Sequence, residues 1–136
     1  LAEVRRILQP KGRVIVQAPN IASWQARLCG RRWYGLDVPR HVINHSARSL
    51  LRLLSDEGFR VRRMRHFNLR DNAPALASSL FPALDPIGRR GKVEPAGLAW
   101  VKHAAYAAAV FAACPAALAE AWAGRGGTVM LEAEKT

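Results

Sequence analysis

Three successive β-branched residues, Val14, Ile15 and Val16, stand between two prolines, Pro10 and Pro19. A strand with no polar face predicts burial on both sides, the environment of a parallel sheet layered by helices. Pro19 cannot donate to a sheet ladder, so the chain is expected to leave the sheet there. Ahead of the strand, Leu1, Val4, Ile7 and Leu8 recur at helical spacing with Glu3, Arg5 and Arg6 between them. That pattern predicts an amphipathic helix over residues 1–8, ended by Pro10 and turned by Lys11 and Gly12. The chain has no initiator Met, and a helix comes first with no strand ahead of it. We therefore expect it to open in the middle of an α/β domain.

The rest of the chain continues the alternation. Residues 21–30 suggest a helix, and 30–45 a loop. Ser46 is a good N-cap for a helix over 47–57, with Leu50, Leu51, Leu53 and Leu54 toward the core and Gly58 as the stop. Residues 59–69 predict a strand, and Arg60, Arg62, Arg63 and Arg65 suit it to a sheet edge. Residues 71–97, with Pro74, Pro82, Pro86 and Pro95, predict a loop. A helical stretch over 98–123, kinked or split at Pro115, and a last strand over 128–134 complete the order. This is the order of a doubly wound α/β domain. Three strands are too few for such a sheet, so an unpaired edge at residues 14–16 is expected.

Half of the 136 residues are hydrophobic, enough for a domain with a real core. The net charge of +11 is uneven: residues 1–71 hold 15 of the 21 Lys and Arg but 5 of the 10 Asp and Glu. Such a basic half attracts phosphates, nucleic acid or an anionic membrane surface. A missing acidic portion or a compositional bias is the blander explanation and the one favoured. Cys29 and Cys114 are far apart and fit a reducing cytosol better than a disulfide framework. Residues 104–119 are uncharged, but a bilayer span needs about 20 apolar residues. A buried or interfacial helix is the expectation there. Trp100, Tyr106, Phe111 and Trp122 would either contact lipid or pack on the sheet or a lid.

Candidate site residues gather in the loop after the first strand. Asp37, Arg40, His41 and His45 are candidates for substrate contact, because loops leaving strand ends line the crevice of α/β folds. His41 would act as general base on a hydroxyl. In the competing reading, Asp37 and Arg40 pair to brace the loop while His41 packs beneath Trp33. Trp33 and Tyr34 would stack on a planar substrate or pin the loop to the core. Asn20 would reach a ligand or form a turn. His41 and His45 have the spacing of a helical metal pair, but Pro39 and the Ser46 cap start the helix too late, so no metal is expected.

The residues from Leu1 to Val16 resemble a segment of class I S-adenosylmethionine-dependent methyltransferases, with the pattern L-x-E-x-x-R-V-L-K-P-G-G-x-L. Trp33, Asp37, Pro39, Arg40 and His41 are similar to a W-x-x-x-D-x-P-R-H loop of one branch. Residues 126–135 resemble that branch's antiparallel final strand. Lys11 departs from the pattern, where the family has a glycine. The resemblance implies the C-terminal half of a doubly wound Rossmann-like sheet: residues 1–70 with the substrate loop, a helical insertion or lid over 71–123, and a final antiparallel strand over 124–136. It implies S-adenosylmethionine as cofactor, a small-molecule methyl acceptor and a cytoplasmic enzyme. The glycine-rich turn after strand one and the acidic residue ending strand two, which hold the cofactor in the family, have no counterpart segment here. The chain alone is therefore expected to be inactive. Two other readings remain: a basic nucleic-acid-binding module, and a peripheral membrane protein acting through residues 98–123.

Overall fold

Pro10 and Pro19 do bracket a strand. In the computed structural model, which describes residues 1–89 and 95–136, helix α1 (Ala2–Ile7) leads into strand β1 (Arg13–Pro19) and then helix α2 (Trp24–Cys29). Short 3-10 turns at Gly30–Arg32 and Tyr34–Leu36 carry the loop toward helix α3 (Ala47–Asp56) and strand β2 (Phe59–Arg65). Helix α4 (Asn72–Leu80), the long helix α5 (Ala96–Trp122) and strand β3 (Thr128–Lys135) follow. The architecture is α/β. β3 lies between β1 and β2 and pairs antiparallel with both. The last strand is thus antiparallel, as the resemblance implies, and the arginine-rich strand sits at an edge, as its charges predict.

The two-sided burial expected of Val14, Ile15 and Val16 is not found. Val14, Val16 and Ala18 pack with Leu50 and Leu54 of α3, Phe59 of β2, and Val129, Leu131 and Ala133 of β3. On the other face Ile15 is exposed, and its register partner is Glu132, which in turn faces Arg63. Arg13 pairs with Glu132 at 2.8 Å, and Arg62 with Glu134 at 3.0 Å. Charged residues, Glu132 and Glu134 of β3 with their arginine partners, dominate the face on which Ile15 lies. β-branching fixed the strand conformation, but coverage depends on a second layer that the described residues do not supply. Arg62 has no register partner in β3, because Val61 and Arg63 pair with successive residues there. The extra residue forms a bulge that frees its side chain to reach Glu134.

Helix α3 follows its sequence closely. The Ser46 hydroxyl accepts from the Ser49 amide at 3.1 Å, and the Ser49 hydroxyl accepts from the Ser46 amide at 2.9 Å, a reciprocal capping box. Leu50 and Leu54 are buried and Leu51 half-buried, but Leu53 is exposed, one position off the stripe.

One expectation needs correction and a second is narrowed. Residues 72–80 are helical rather than loop, because Pro74 falls in the first turn of α4, where its missing N–H costs nothing. The part of that loop expectation covering 90–94 lies outside the described residues. Of the two alternatives at Pro115, a kink or a split, the split is excluded, because helix α5 runs continuously through it. It packs on α4 through Ala73, Leu76, Ala113 and Ala117, a second core distinct from the sheet's.

Candidate functional site

A seam of buried polar groups lies beside the α4–α5 core. The Gln25 side-chain amide, on α2, donates to the Asn72 carbonyl at 3.2 Å and to Glu120 at 3.3 Å. Its carbonyl oxygen accepts from the Trp33 indole N–H at 3.3 Å. Gln25, Asn72, Glu120 and Trp33 are all buried, so one amide ties three helices and the start of the loop together. Trp33 therefore anchors the loop, and the neighbouring Tyr34 is left half-exposed. The Tyr34 amide donates to Ser79 of α4 at 2.8 Å, fixing the next residue in turn.

This anchoring shapes a pocket of about 440 Å³. The end of β1 contributes Gln17, Ala18 and Pro19, and the loop contributes Trp33, Tyr34, Asp37 and His41. Pro74, Ser78 and Asp71 line it from the α4 side, with Tyr106 from α5 opposite. The hydroxyls of Ser78 and Tyr106 lie 3.0 Å apart. Asp71 accepts from the Gln17 amide at 2.6 Å. Asp85, also lining the pocket, is buried and accepts from the amides of Ile87 and Gly88. Despite a strongly basic chain, the pocket holds three carboxylates, Asp37, Asp71 and Asp85, against Arg70 and His41. Burial, then the carboxylates of Asp85 and Asp37, push the Tyr34 phenol above its ordinary range, so it is held as a hydrogen-bond donor.

Trp33, Tyr34, Asp37 and His41 thus line one pocket, while the other candidates are placed elsewhere. Arg40 points to solvent and pairs with Asp37 at 2.9 Å, as in the bracing reading. Asp37 itself sits at φ 41°, in the left-handed region that aspartate tolerates. His41 is exposed rather than packed beneath Trp33, with Nδ1 3.4 Å from the Gly35 carbonyl. Asn20 is buried away from the pocket. Its amide donates to the Gly126 carbonyl at 3.0 Å, and its Oδ1 accepts from the amides of Ala22 and Ala47. Both ends of its side chain bond backbone, as in the turn reading. His45 meets Asn20 through an isolated backbone bridge and does not line the pocket. Among the described residues, no group of three or more His, Cys, Asp or Glu is placed to hold a metal. Cys29 and Cys114 are free thiols.

Sequence reasoning missed Tyr106, Ser78, Asp85 and Glu120. A signal existed for two of them. Tyr106 and Glu120 lie at helical multiples from Ala113 and Ala117, on the same small-residue stripe that packs inward.

Glu120 carries a testable pH effect. Burial raises its carboxyl from 4.5 to about 7, opposed by the Gln25 hydrogen bond, and its Oε1 has no partner. A raised acid favours the folded state while it stays protonated. The stabilisation is complete below 4.5 and is lost as pH rises through about 7. At 1.36 kcal/mol per unit, the loss across this window is about 3 kcal/mol. Glu120→Gln is expected to flatten this slope and to exceed the wild type in stability at pH 8. Urea midpoints at pH 5 and pH 8 measure it, and parallel slopes for the two proteins would refute it.

What the fold and pocket define is an α/β domain with a concave site walled by aromatics and rimmed by carboxylates. No family model and no curated protein matches the chain. Among solved structures it is similar to the crystal structure of the [4+2]-cyclase SpnF, at 24% identity and a TM-score of 0.45, over 98% of this chain and 42% of that one. The chain spans about two-fifths of that cyclase's length. At this level of similarity no property of the cyclase carries over.

Proposed function

We propose that this chain is the acceptor-binding part of a cytosolic S-adenosylmethionine-dependent methyltransferase. Its acceptor is a planar small molecule, neutral or cationic. The observation that carries the reading is the convergence of Trp33, Tyr34, Asp37 and His41 beside the end of β1. These are residues of the loop that resembles the family's W-x-x-x-D-x-P-R-H pattern. The aromatic walls suit a ring, and the three carboxylates disfavour an anion.

The described residues do not fit the methyl donor. The one G-x-G spacing, Gly124 to Gly126, leads from α5 into β3 rather than from a strand into a helix. The space beside Gly126 and Gly127 is filled by the His66 carbonyl, Asn72 and Gln25. In this reading the donor is gripped by residues outside those described, and the chain supplies acceptor chemistry. Methyl transfer is an in-line displacement that depends on alignment of the two reactants. An acceptor O–H or N–H loses its proton as the methyl arrives. His41 stands at the pocket rim, and in the tautomer that donates from Nδ1 to Gly35, its Nε2 is the base that receives the proton.

The test is transfer of labelled methyl from S-adenosylmethionine by the gene's complete product to a panel of phenols and amines. His41→Ala is expected to lower kcat about a hundredfold with donor affinity unchanged. Undiminished turnover would remove His41 as the base. Donor binding with no labelled acceptor of either kind would sink the reading itself.

A further inference from the structure

Helix α5 is apolar on its outward face as well as on the inward face where Ala113 and Ala117 pack, an unusual pattern for a surface helix. Such helices ordinarily turn their polar face outward. Here Tyr106 and Glu120 turn inward, to Ser78 and Gln25. Outward stand Trp100, Phe111 and Trp122, exposed by 78%, 82% and 97%, with Leu118 beside them. On a helix of 3.6 residues per turn, these four side chains fall within a sector of about 40°. Ala104 falls on the same sector and Ala107 and Pro115 border it, so no charge or hydroxyl interrupts it. At 150–250 Å² each, the three aromatics alone expose roughly 400–600 Å². That equals the largest apolar patch of a typical monomer, before Val101 and Leu118 are counted.

We infer that the outer face of α5 docks on an anionic lipid surface, lying in the plane of the membrane interface. Three observations favour this occupant. Trp100 and Trp122 sit at opposite ends of the face, about 33 Å apart along the axis, and tryptophan partitions to the lipid–water boundary. The exposed Arg125 lies just beyond the helix's C-terminal end. The chain's charge of +11 attracts an anionic surface and opposes pairing with a second copy. By length and composition α5 could also cross a bilayer. Crossing would strip Tyr106 and Glu120 of their bonds to Ser78 and Gln25, whereas lying flat leaves both bonds intact.

The experiment is co-sedimentation of the chain with phosphatidylcholine vesicles, with and without phosphatidylserine. The chain is compared with a triple variant, Trp100→Glu, Phe111→Glu and Trp122→Glu. These side chains touch little of the protein, so the variant's circular dichroism and urea midpoint should match the wild type. We expect binding to the phosphatidylserine vesicles that falls at least about tenfold in the variant. Quenching of wild-type tryptophan emission by brominated acyl chains is a second readout that needs no variant. Binding that the variant retains would assign the attraction to the arginines alone and overturn the proposal. So would absence of binding or of quenching, and so would self-association in sedimentation velocity without vesicle binding.

Discussion

Replacing Trp33 with alanine is expected to lower folding stability by about 3–5 kcal/mol, the range for removing a buried aromatic side chain. Trp33 is only 2% exposed and fills the space between the loop and the buried seam. Its indole N–H also satisfies the Gln25 carbonyl, which in the variant would be left buried without a donor. Trp33→Phe separates the two contributions. It keeps most of the ring volume but orphans the same oxygen, at an expected cost of about 1–3 kcal/mol. Urea unfolding at pH 6, followed by circular dichroism, measures both. The alanine variant should also lose the pocket wall, so any ligand found for the site should bind the phenylalanine variant far better. An alanine variant within about 1 kcal/mol of the wild type would mean that the loop is held by something else.

The elements that could be read from sequence are those whose signals are local. Ser46 and the leucines after it specify α3 to within a residue, because a cap and a 3.6-residue stripe are both short-range features. The arginines of β2 marked an edge strand, because charge on a ladder is intolerable only where a neighbour covers it. What failed was everything that depends on a partner. Val14, Ile15 and Val16 named a strand but not how many of its faces are covered. Pro74 suggests a loop because proline's cost depends on position in a helix, which the composition of residues 71–97 does not reveal. Which residues of α5 face outward is hidden for the same reason. An Ala-rich stretch with scattered aromatics fits a core helix and an interfacial one equally, until α4 shows which side is taken.

For the site, the dense loop drew attention to Trp33, Tyr34, Asp37 and His41, and these do converge. Asn20 and His45 share its neighbourhood in sequence but serve backbone. A turn asparagine and a ligand-binding one look alike until the hydrogen bonds are drawn. The opposite wall, from Ser78, Asp85 and Tyr106, comes from segments 37 or more residues further along the chain. Nothing local links them to the loop. The link is made by Gln25, an unremarkable glutamine in sequence, whose amide joins Trp33, Asn72 and Glu120 in the seam.

The seam has a second anchor at Gly126, and here a single methyl group is expected to do as much damage as the loss of Trp33. Alanine at Gly126 would drive its Cβ into the carbonyl oxygen of His66 and bring it 3.0 Å from the Asn72 amide nitrogen. That oxygen and that nitrogen are themselves hydrogen-bonded at 2.9 Å, so the methyl would wedge between them. The Gly126 carbonyl accepts from Asn20, and the Gly127 carbonyl accepts from the Asn20 amide, so the same two residues also hold the end of β1. A flexible side chain could rotate away, but the principal obstacle is backbone. Relief therefore requires β3 to move, and β3 is paired along its length to both other strands. Overpacking of this kind costs about 1–3 kcal/mol where neighbours can yield, and more where they cannot. We expect Gly126→Ala to exceed about 3 kcal/mol, which is a large share of a domain's total stability. Gly124→Ala is the internal control. Gly124 has open space around it and a φ of 68°, so its alanine should suffer only the left-handed penalty of about 1–2 kcal/mol. If the two variants unfold at the same urea concentration, steric closure at Gly126 is not what fixes β3 against the seam. If Gly126→Ala alone fails to fold, the contact between β3, His66 and Asn72 is the one on which sheet and helical core depend together.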